Sequence, residues 1–387
     1  MLASGKPTNR RTLVVLYAAF ALTGVLHSIG GPLMPSIAAC LHLSDSRSGL
    51  LFGLYFGGTA IGAILCRWNY ARSMAIGFLA TAFCCLGISA ASSTLLPGLF
   101  LMLGVSVGVP MSAISLYVGR AFPERCAALL TFLNFVWSAG ALTAPLLAAK
   151  VLQHHNYRTA YALLAVPSVV AAVACWFMLQ EASEPVRTAV SSKRAGSLRL
   201  IGLFALAAFL QVGVENTSTA WLSTYVLRTA GISAALAAAA TSFYWIGFLA
   251  SRGVSSAVLL RARASLVFGS AVALALGAGL LLAVFPIFAG NKLAMLLLGM
   301  GLAPIYPLLI AGFLARARHT SEARWVMATA GFGGSVIPWL AGWISTQTGS
   351  LRMGMLTIPA AILLMAAMLP ALRPPRIPAA SDSAGTA

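Results

Sequence analysis

The hydrophobic positions of the chain fall into long runs of about 20 residues, each closed by charged residues or a Pro/Gly-rich connection. A helix of that length, rising about 1.5 Å per residue, crosses the roughly 30 Å hydrocarbon core of a bilayer. The pattern predicts twelve spans. Six lie at about 13–35, 47–66, 74–92, 97–119, 126–149 and 159–179, and six at about 200–227, 235–258, 265–286, 292–314, 325–346 and 352–371. The longest polar stretch inside the chain, QEASEPVRTAVSSKRAGSLR at 180–199, separates the two sets and predicts a linker. The first run follows Lys6, Arg10 and Arg11, as the apolar part of a secretory signal would, but it continues past Gly30 to Pro35 and more spans follow it. It is therefore read as the first transmembrane helix.

Composition agrees with the pattern. Hydrophobic residues make up 60% and charged residues 8%, against about 25% charged in soluble domains. The expected fold is an all-α membrane protein: twelve transmembrane helices in two pseudo-symmetric six-helix bundles, 1–179 and 200–387, joined by a cytoplasmic linker at 180–199 and ending in a short cytoplasmic tail. The net charge of +18 resembles a nucleic-acid signature until the 25 Lys and Arg residues are placed. With the N-terminus inside, eighteen fall on the inner side, six on the outer side, and Arg252 within a span. That asymmetry puts both termini in the cytoplasm and explains the charge by orientation, with no nucleic-acid partner. The six cysteines lack metal-ligand spacing and read as small core residues, so no metal or cofactor is expected. The chain has no H-E-x-x-H, phosphate-cradling loop, nucleophile elbow or dense acidic cluster, which argues against an enzyme and against an ATP-driven pump.

The two sets of helices carry a weak repeat. At an offset of 189, Phe20, Gly24, Val25, Tyr55 and Gly58 fall on Phe209, Gly213, Val214, Tyr244 and Gly247; at 193, Gly140 and Pro145 fall on Gly333 and Pro338. Two parallel six-helix repeats joined by a cytoplasmic linker resemble the major facilitator superfamily. The loop GAILCRWNYARS, Gly62 to Ser73, is similar to that family's loop motif, with Cys66 where an Asp is usual and Arg67 and Arg72 retained. Five further stretches resemble the fucose/glucose–proton symporter branch: FPER (Phe122 to Arg125), SAGALTAP (Ser138 to Pro145), VGVENTSTAWLSTY, GLAPIYPLLIAG and GGSVIPWLAGWIS. The resemblance implies alternating access around a site near the midplane, lined by helices 1 and 7. Symporters of that branch place carboxylates in helices 1 and 4, and this chain has none at either place.

Glu215 is the one carboxylate inside a long apolar segment. A charged side chain at mid-bilayer costs about 2.5 kcal/mol or more, so it persists where it faces a partner, a cavity or a solute. The repeat sets Leu26 on Glu215 and His27 on Asn216, which places two titratable side chains at nearly equivalent positions of the two halves. Low dielectric favours the neutral form of both, and hydration or a partner favours the charged form, so a change of access can change protonation. Glu215, assisted by His27, is the expected proton-coupling group, or Glu215 bonds the solute directly. The alternative is a structural carboxylate capped by Asn216, Thr217 or Ser218 at a locally unwound turn. Gln211 lies one turn before Glu215 on the same face. Asn134 and Trp137, three apart on helix 5, suit a sugar, the amide meeting hydroxyls and the ring a C–H face, or else they serve helix packing. Tyr244, Trp245, Tyr306 and Trp339 are further aromatic candidates, while Trp221 and Tyr225 read equally as interfacial anchors.

Arg252, about six residues from the inner end of helix 8, reads as a snorkelling side chain or a gate bond. Arg67, Arg72, Arg120, Glu124 and Arg324 lie in or beside inner loops, where paired charges would close an inner gate; a solvated basic loop explains them nearly as well. The expected function is secondary active transport of a small polar organic solute such as a sugar, with any proton coupling resting on Glu215 and His27. Efflux of amphipathic compounds is the alternative, favoured by a Met- and Phe-rich cavity. The expected setting is the bacterial inner membrane, with a monomer embedded in the lipid bilayer.

Overall fold

The structure, a computed structural model, describes residues 10–66, 69–179, 198–284, 288–316 and 323–372. Most of the expected linker (180–197), Arg67 and the tail beyond residue 372 lie outside the described residues, as does the side chain of Arg324.

Twelve helical elements follow one another with no strand among the described residues. The first six are α1 (Arg10–Ser28 and Gly30–Leu41), α2 (Asp45–Leu65), α3 (Tyr70–Ala90), α4 (Leu96–Ala121), α5 (Cys126–Leu152) and α6 (Tyr157–Met178). The last six are α7 (Leu198–Ala230), α8 (Ala234–Ala240 and Ser242–Val258), α9 (Ala264–Val284), α10 (Phe288–Leu302 and Ile305–Leu314), α11 (Ala323–Thr348) and α12 (Leu351–Met355 and Thr357–Leu372). Among the described residues, eleven candidate spans are both long and apolar enough to cross a membrane. The twelfth, α11, has 26 residues, but its glycines, Pro338 and hydroxyl side chains lower its apolarity. Those small residues face α2 and α7 instead of lipid.

Local chemistry sets the helix ends. Ser44, Asn69, Asn156 and Ser233 each accept a hydrogen bond from a first-turn backbone N–H, filling an otherwise orphaned donor. His42, Gly231 and Gly349 adopt left-handed backbone (φ 52°, 63° and 66°) where α1, α7 and α11 stop. The first span overruns its predicted end at Pro35 and continues to Leu41. Proline removes one backbone donor there without preventing the helix from resuming.

Glycines decide which helices touch. Gly24 of α1 and Gly140 of α5 bring those backbones together, a Cβ at either colliding with the partner's carbonyl. Their repeat equivalents bring α7 and α11 together, a Cβ at Gly333 colliding with the Phe209 carbonyl and one at Gly213 with the Ile337 side chain. Likewise Gly58, Gly104 and Gly108 seat α2 on α4, as Gly247 and Gly299 seat α8 on α10. Between the two sets of six helices, α2 lies along α11, α5 along α8, and the later part of α1 along α7. This seam holds the chemistry. Below, the terminal side is the end where α1 begins and α12 ends, and the far side is the opposite end.

Candidate functional site

Helix α7 supplies the centre of the site. It is continuous from Leu198 to Ala230, so the local unwinding expected at ENTSTAW does not occur. The physical reason is that Thr217, Ser218 and Thr219 donate back to the carbonyls of Gly213, Val214 and Glu215, four residues earlier, at 2.7, 2.8 and 3.0 Å. These hydroxyls are satisfied within the helix and leave the backbone ladder intact. Glu215 is half-buried, within electrostatic range of Arg252, Tyr244 and Tyr306. The cation and the two phenols within that range come from α8 and α10.

The neighbouring residue makes the link across the seam. Asn216 donates to the carbonyl of Gly334 on α11 at 3.3 Å and hydrogen-bonds His27 on α1. Gly334 is required for this, since a Cβ there would collide with the Asn216 amide. The two residues that the repeat places on one another thus meet directly, one from each set of helices. Their neighbours also correspond: Tyr55 donates to the carbonyl of Leu26 at 3.0 Å, while Tyr244, its equivalent, faces Glu215 in the position equivalent to Leu26.

From His27 an aromatic relay runs across the seam. Its ring lies 5.2 Å from Phe56 and 5.4 Å from Trp137; Trp137 meets Trp245 edge-on at 5.8 Å; and Trp245 contacts Tyr244 at 5.1 Å and Phe248 at 5.4 Å. Arg252 closes the relay. Its guanidinium lies 4.6 Å from the Phe248 ring and 6.0 Å from Trp137, and it donates to the carbonyl of Asn134 at 3.1 Å and to the Ser138 hydroxyl at 2.7 Å. Arg252 does not snorkel, because acceptors on α5 and the aromatic faces hold it at the seam.

Four polar atoms here are buried without a hydrogen-bond partner: His27 Nδ1, Trp137 Nε1, Tyr244 Oη and Gln211 Oε1. Buried polar groups are nearly always paired, so such a group in a membrane protein's interior calls for an occupant. The Gln211 amide nitrogen is committed elsewhere, donating at 3.0 Å to the carbonyl of Leu302, where α10 is interrupted at Ala303 and Pro304. Asn134 is not paired with Trp137 through its side chain: its amide turns back to the carbonyl of Leu130 at 2.9 Å and is exposed, whereas Trp137 is buried. Trp221 and Tyr225 are not interfacial anchors. Both are fully buried and donate to the carbonyls of Pro338 and Leu282 at 2.9 Å.

Of the residues expected at a gate on the terminal side, Arg252 joins α8 to α5 across the two sets of helices, and Arg67 and the side chain of Arg324 lie outside the described residues. Arg120 lies 4.4 Å over the Tyr70 ring, Arg316 donates to Ala371 within its own set of helices, and Glu124 is exposed in a single 3-10 turn, Pro123–Arg125. Arg72 is exposed, and its backbone N–H caps on Asn69 at 3.1 Å. A bridge between the halves stands at the far side, and the sequence reading missed it. Asp45 at the start of α2 binds Arg228 at the end of α7 through two bonds of 2.6 Å, and Ser345 of α11 donates to the same carboxylate at 2.5 Å. The backbone N–H of Ser46 donates to Thr346 at 2.8 Å. Only the placement of both charges at outer helix ends hinted at it, since the partners are 183 residues apart.

Two six-helix sets meeting along a polar seam, latched at one end and carrying, among the described residues, a single carboxylate at mid-span, have the architecture of a membrane transporter. The family model described as Major Facilitator Superfamily matches residues 16–324, and the chain belongs to that family. It is 25% identical over 373 residues to a glucose/galactose transporter of Brucella abortus (strain 2308), covering 87% of this chain and 88% of the relative. It is 23% identical over 381 residues to the glucose/mannose transporter GlcP of Bacillus subtilis (strain 168), covering 92% and 93%. Among solved structures, a D-xylose-proton symporter superposes with a TM-score of 0.74 at 13% identity, covering 93% of this chain and 96% of that one. A bacterial homologue of the lysosomal transporter Spinster, inward-facing and unoccupied, superposes at 0.75 with 13% identity, covering 95% and 98%.

Proposed function

We propose that the protein moves a hexose-class sugar across the membrane by alternating access, coupled to protons through Glu215 with His27. The observation that carries this reading is the set of unpartnered donors and acceptors at the seam, His27 Nδ1, Trp137 Nε1 and Tyr244 Oη, set among aromatic faces. A sugar presents the complementary surface, hydroxyls around its rim and C–H groups on its faces. An amphipathic efflux substrate would be served by Met, Phe and Leu instead. The curated relatives named for glucose, galactose and mannose support the same class, and the xylose and fucose symporters of similar fold are consistent with proton coupling.

In this reading Glu215, His27, Asn216, Trp137, Trp245 and Tyr306 surround the solute, Gln211 of α7 braces them against α10, and Asn134 with Arg252 holds α5 against α8. The working units are 1–179 and 200–387 with the linker 180–199 between them. Both termini face the cytoplasm of a bacterial inner membrane, and the protein acts as a monomer. Uptake of radiolabelled glucose, galactose and mannose into proteoliposomes, with and without an imposed pH gradient, tests it. Accumulation that follows the gradient is expected, with Glu215→Gln losing accumulation while retaining sugar exchange. Absence of uptake of all three sugars under every gradient would overturn the reading in favour of efflux.

A further inference from the structure

A cavity separate from the seam lies within the last six helices, toward their terminal-side ends. Its walls include Phe204 of α7, Phe268 of α9, Leu308 of α10 and Leu369 and Leu372 of α12, and they are almost wholly apolar. Two glycines thin these walls. At Gly269 of α9 an added Cβ would meet nothing within 4 Å, and at Gly312 of α10 it would meet only the Phe204 ring, at 3.6 Å or more. Close packing normally fills such space with side chains.

The rim has the opposite chemistry. The Arg316 guanidinium lies 5.6 Å over the Phe204 ring that forms one wall, and donates to the carbonyl of Ala371 at 3.2 Å. Arg261 and Arg263 are exposed in the turn that leads directly into the lining residues Ala264 and Ser265. The described carboxylates, Asp45, Glu124 and Glu215, stand elsewhere, on α2, in the turn after α4 and on α7. An apolar slot between helices with a cationic rim at the end of the spans matches one class of ligand, an acyl chain carrying a phosphate. Ser265 is the one hydroxyl side chain among the lining residues, too few polar partners for a sugar.

We propose that this cavity binds an anionic glycerophospholipid of the adjoining leaflet, with an acyl chain between α7, α9, α10 and α12 and its phosphate on Arg316, aided by Arg261 and Arg263. The bound chain touches the second segment of α10, Ile305–Leu314, which follows the interruption at Ala303 and Pro304. It therefore holds the segment most able to pivot, and ties that segment to the composition of the membrane.

The test is native mass spectrometry of the full chain released from nanodiscs of equal phosphatidylglycerol and phosphatidylcholine with matched acyl chains. Phosphatidylglycerol should be retained over phosphatidylcholine by about fivefold, the preference one nearby arginine gives an anionic lipid. Arg316→Gln should lower that ratio, Arg316→Gln with Arg261→Gln and Arg263→Gln should bring it close to one, and Gly269→Phe should reduce retention of both lipids while the seam and sugar uptake persist. The wild-type ratio needs no variant to fold. Equal retention of the two lipids would overturn the proposal. So would a photoreactive side chain at Gly269 that captures another segment of the protein in place of lipid.

Discussion

At the residue scale, Arg252 is the side chain on which most of the seam converges. It lies near the carboxylate of α7, rests on rings from α8 and α5, and donates to α5. Removing it would leave Glu215 without its cation and α5 without its clamp, so two effects should be separable. Arg252→Met is expected to lower melting temperature, and Glu215→Gln to recover part of that loss, with a coupling of about 0.5–3 kcal/mol in a double-mutant cycle of thermal unfolding in detergent. Strict additivity of the two changes would mean that they do not interact. Arg252→Lys keeps the charge but not the planar fork, and should retain the coupling to Glu215 while losing part of the hold on Ser138. Asn216→Leu breaks the bonds to His27 and Gly334 together. Its expected signature is a raised KM for sugar at little loss of folded protein, because the change leaves α7 intact.

At the element scale, the glycines divide into two kinds that sequence cannot tell apart. Gly140 and Gly333 each lie where a Cβ would strike the backbone of a neighbouring helix, whereas nothing lies within 4 Å of a Cβ at Gly202 or Gly277. Gly140→Leu or Gly333→Leu should therefore destabilise the protein by at least the roughly 1–3 kcal/mol of ordinary overpacking. Gly277→Ala should leave the detergent melting temperature nearly unchanged; equal effects at both kinds of site would contradict the close approach described for α1 with α5 and α7 with α11. The spans themselves were legible in the sequence, because a run of about 20 apolar residues has few other uses. The equivalence of His27 and Asn216 was legible too, from the offset that aligned Tyr55 with Tyr244. The state of α7 was not. Hydroxyl-rich stretches can either unwind a helix or bond back to it, and the outcome at Thr217 to Thr219 depends on the neighbours that exclude water. The interruptions fall instead at Ile29, Thr241, Ala303 with Pro304, and Leu356, where only Pro304 carries a strong local signal.

At the scale of the whole molecule, the far side is fastened by charge. Asp45 and Arg228 belong to different sets of helices, and Ser345 adds a third element to the same carboxylate. Their pairing was barely hinted at in the sequence, because a capping-turn aspartate and a helix-end arginine each have an adequate local explanation. Asp45→Asn should shift the population toward states open at the far side. In a Cys40→Ser background, a cysteine at Phe52 should then react faster with a membrane-impermeant thiol reagent than in the parent. The exchange Asp45→Arg with Arg228→Asp should restore slow labelling; labelling that stays slow in Asp45→Asn alone would mean the glycine contacts of α2 with α11 suffice to hold this side shut.

The fastening also makes the two ends of the protein unequal toward their surroundings. Arg228 remains 44% exposed in its ion pair, within reach of dissolved ions, and salt weakens contacts between exposed charges over a screening length of about 8 Å at 0.15 M. The seam beneath it is held by rings, glycine contacts and buried hydrogen bonds that salt barely touches. Raising the salt concentration on the far side alone should therefore accelerate the step that exposes the site to that side, and leave its return almost unaffected. Ionic strength on the far side thereby enters the opening step through one exposed ion pair.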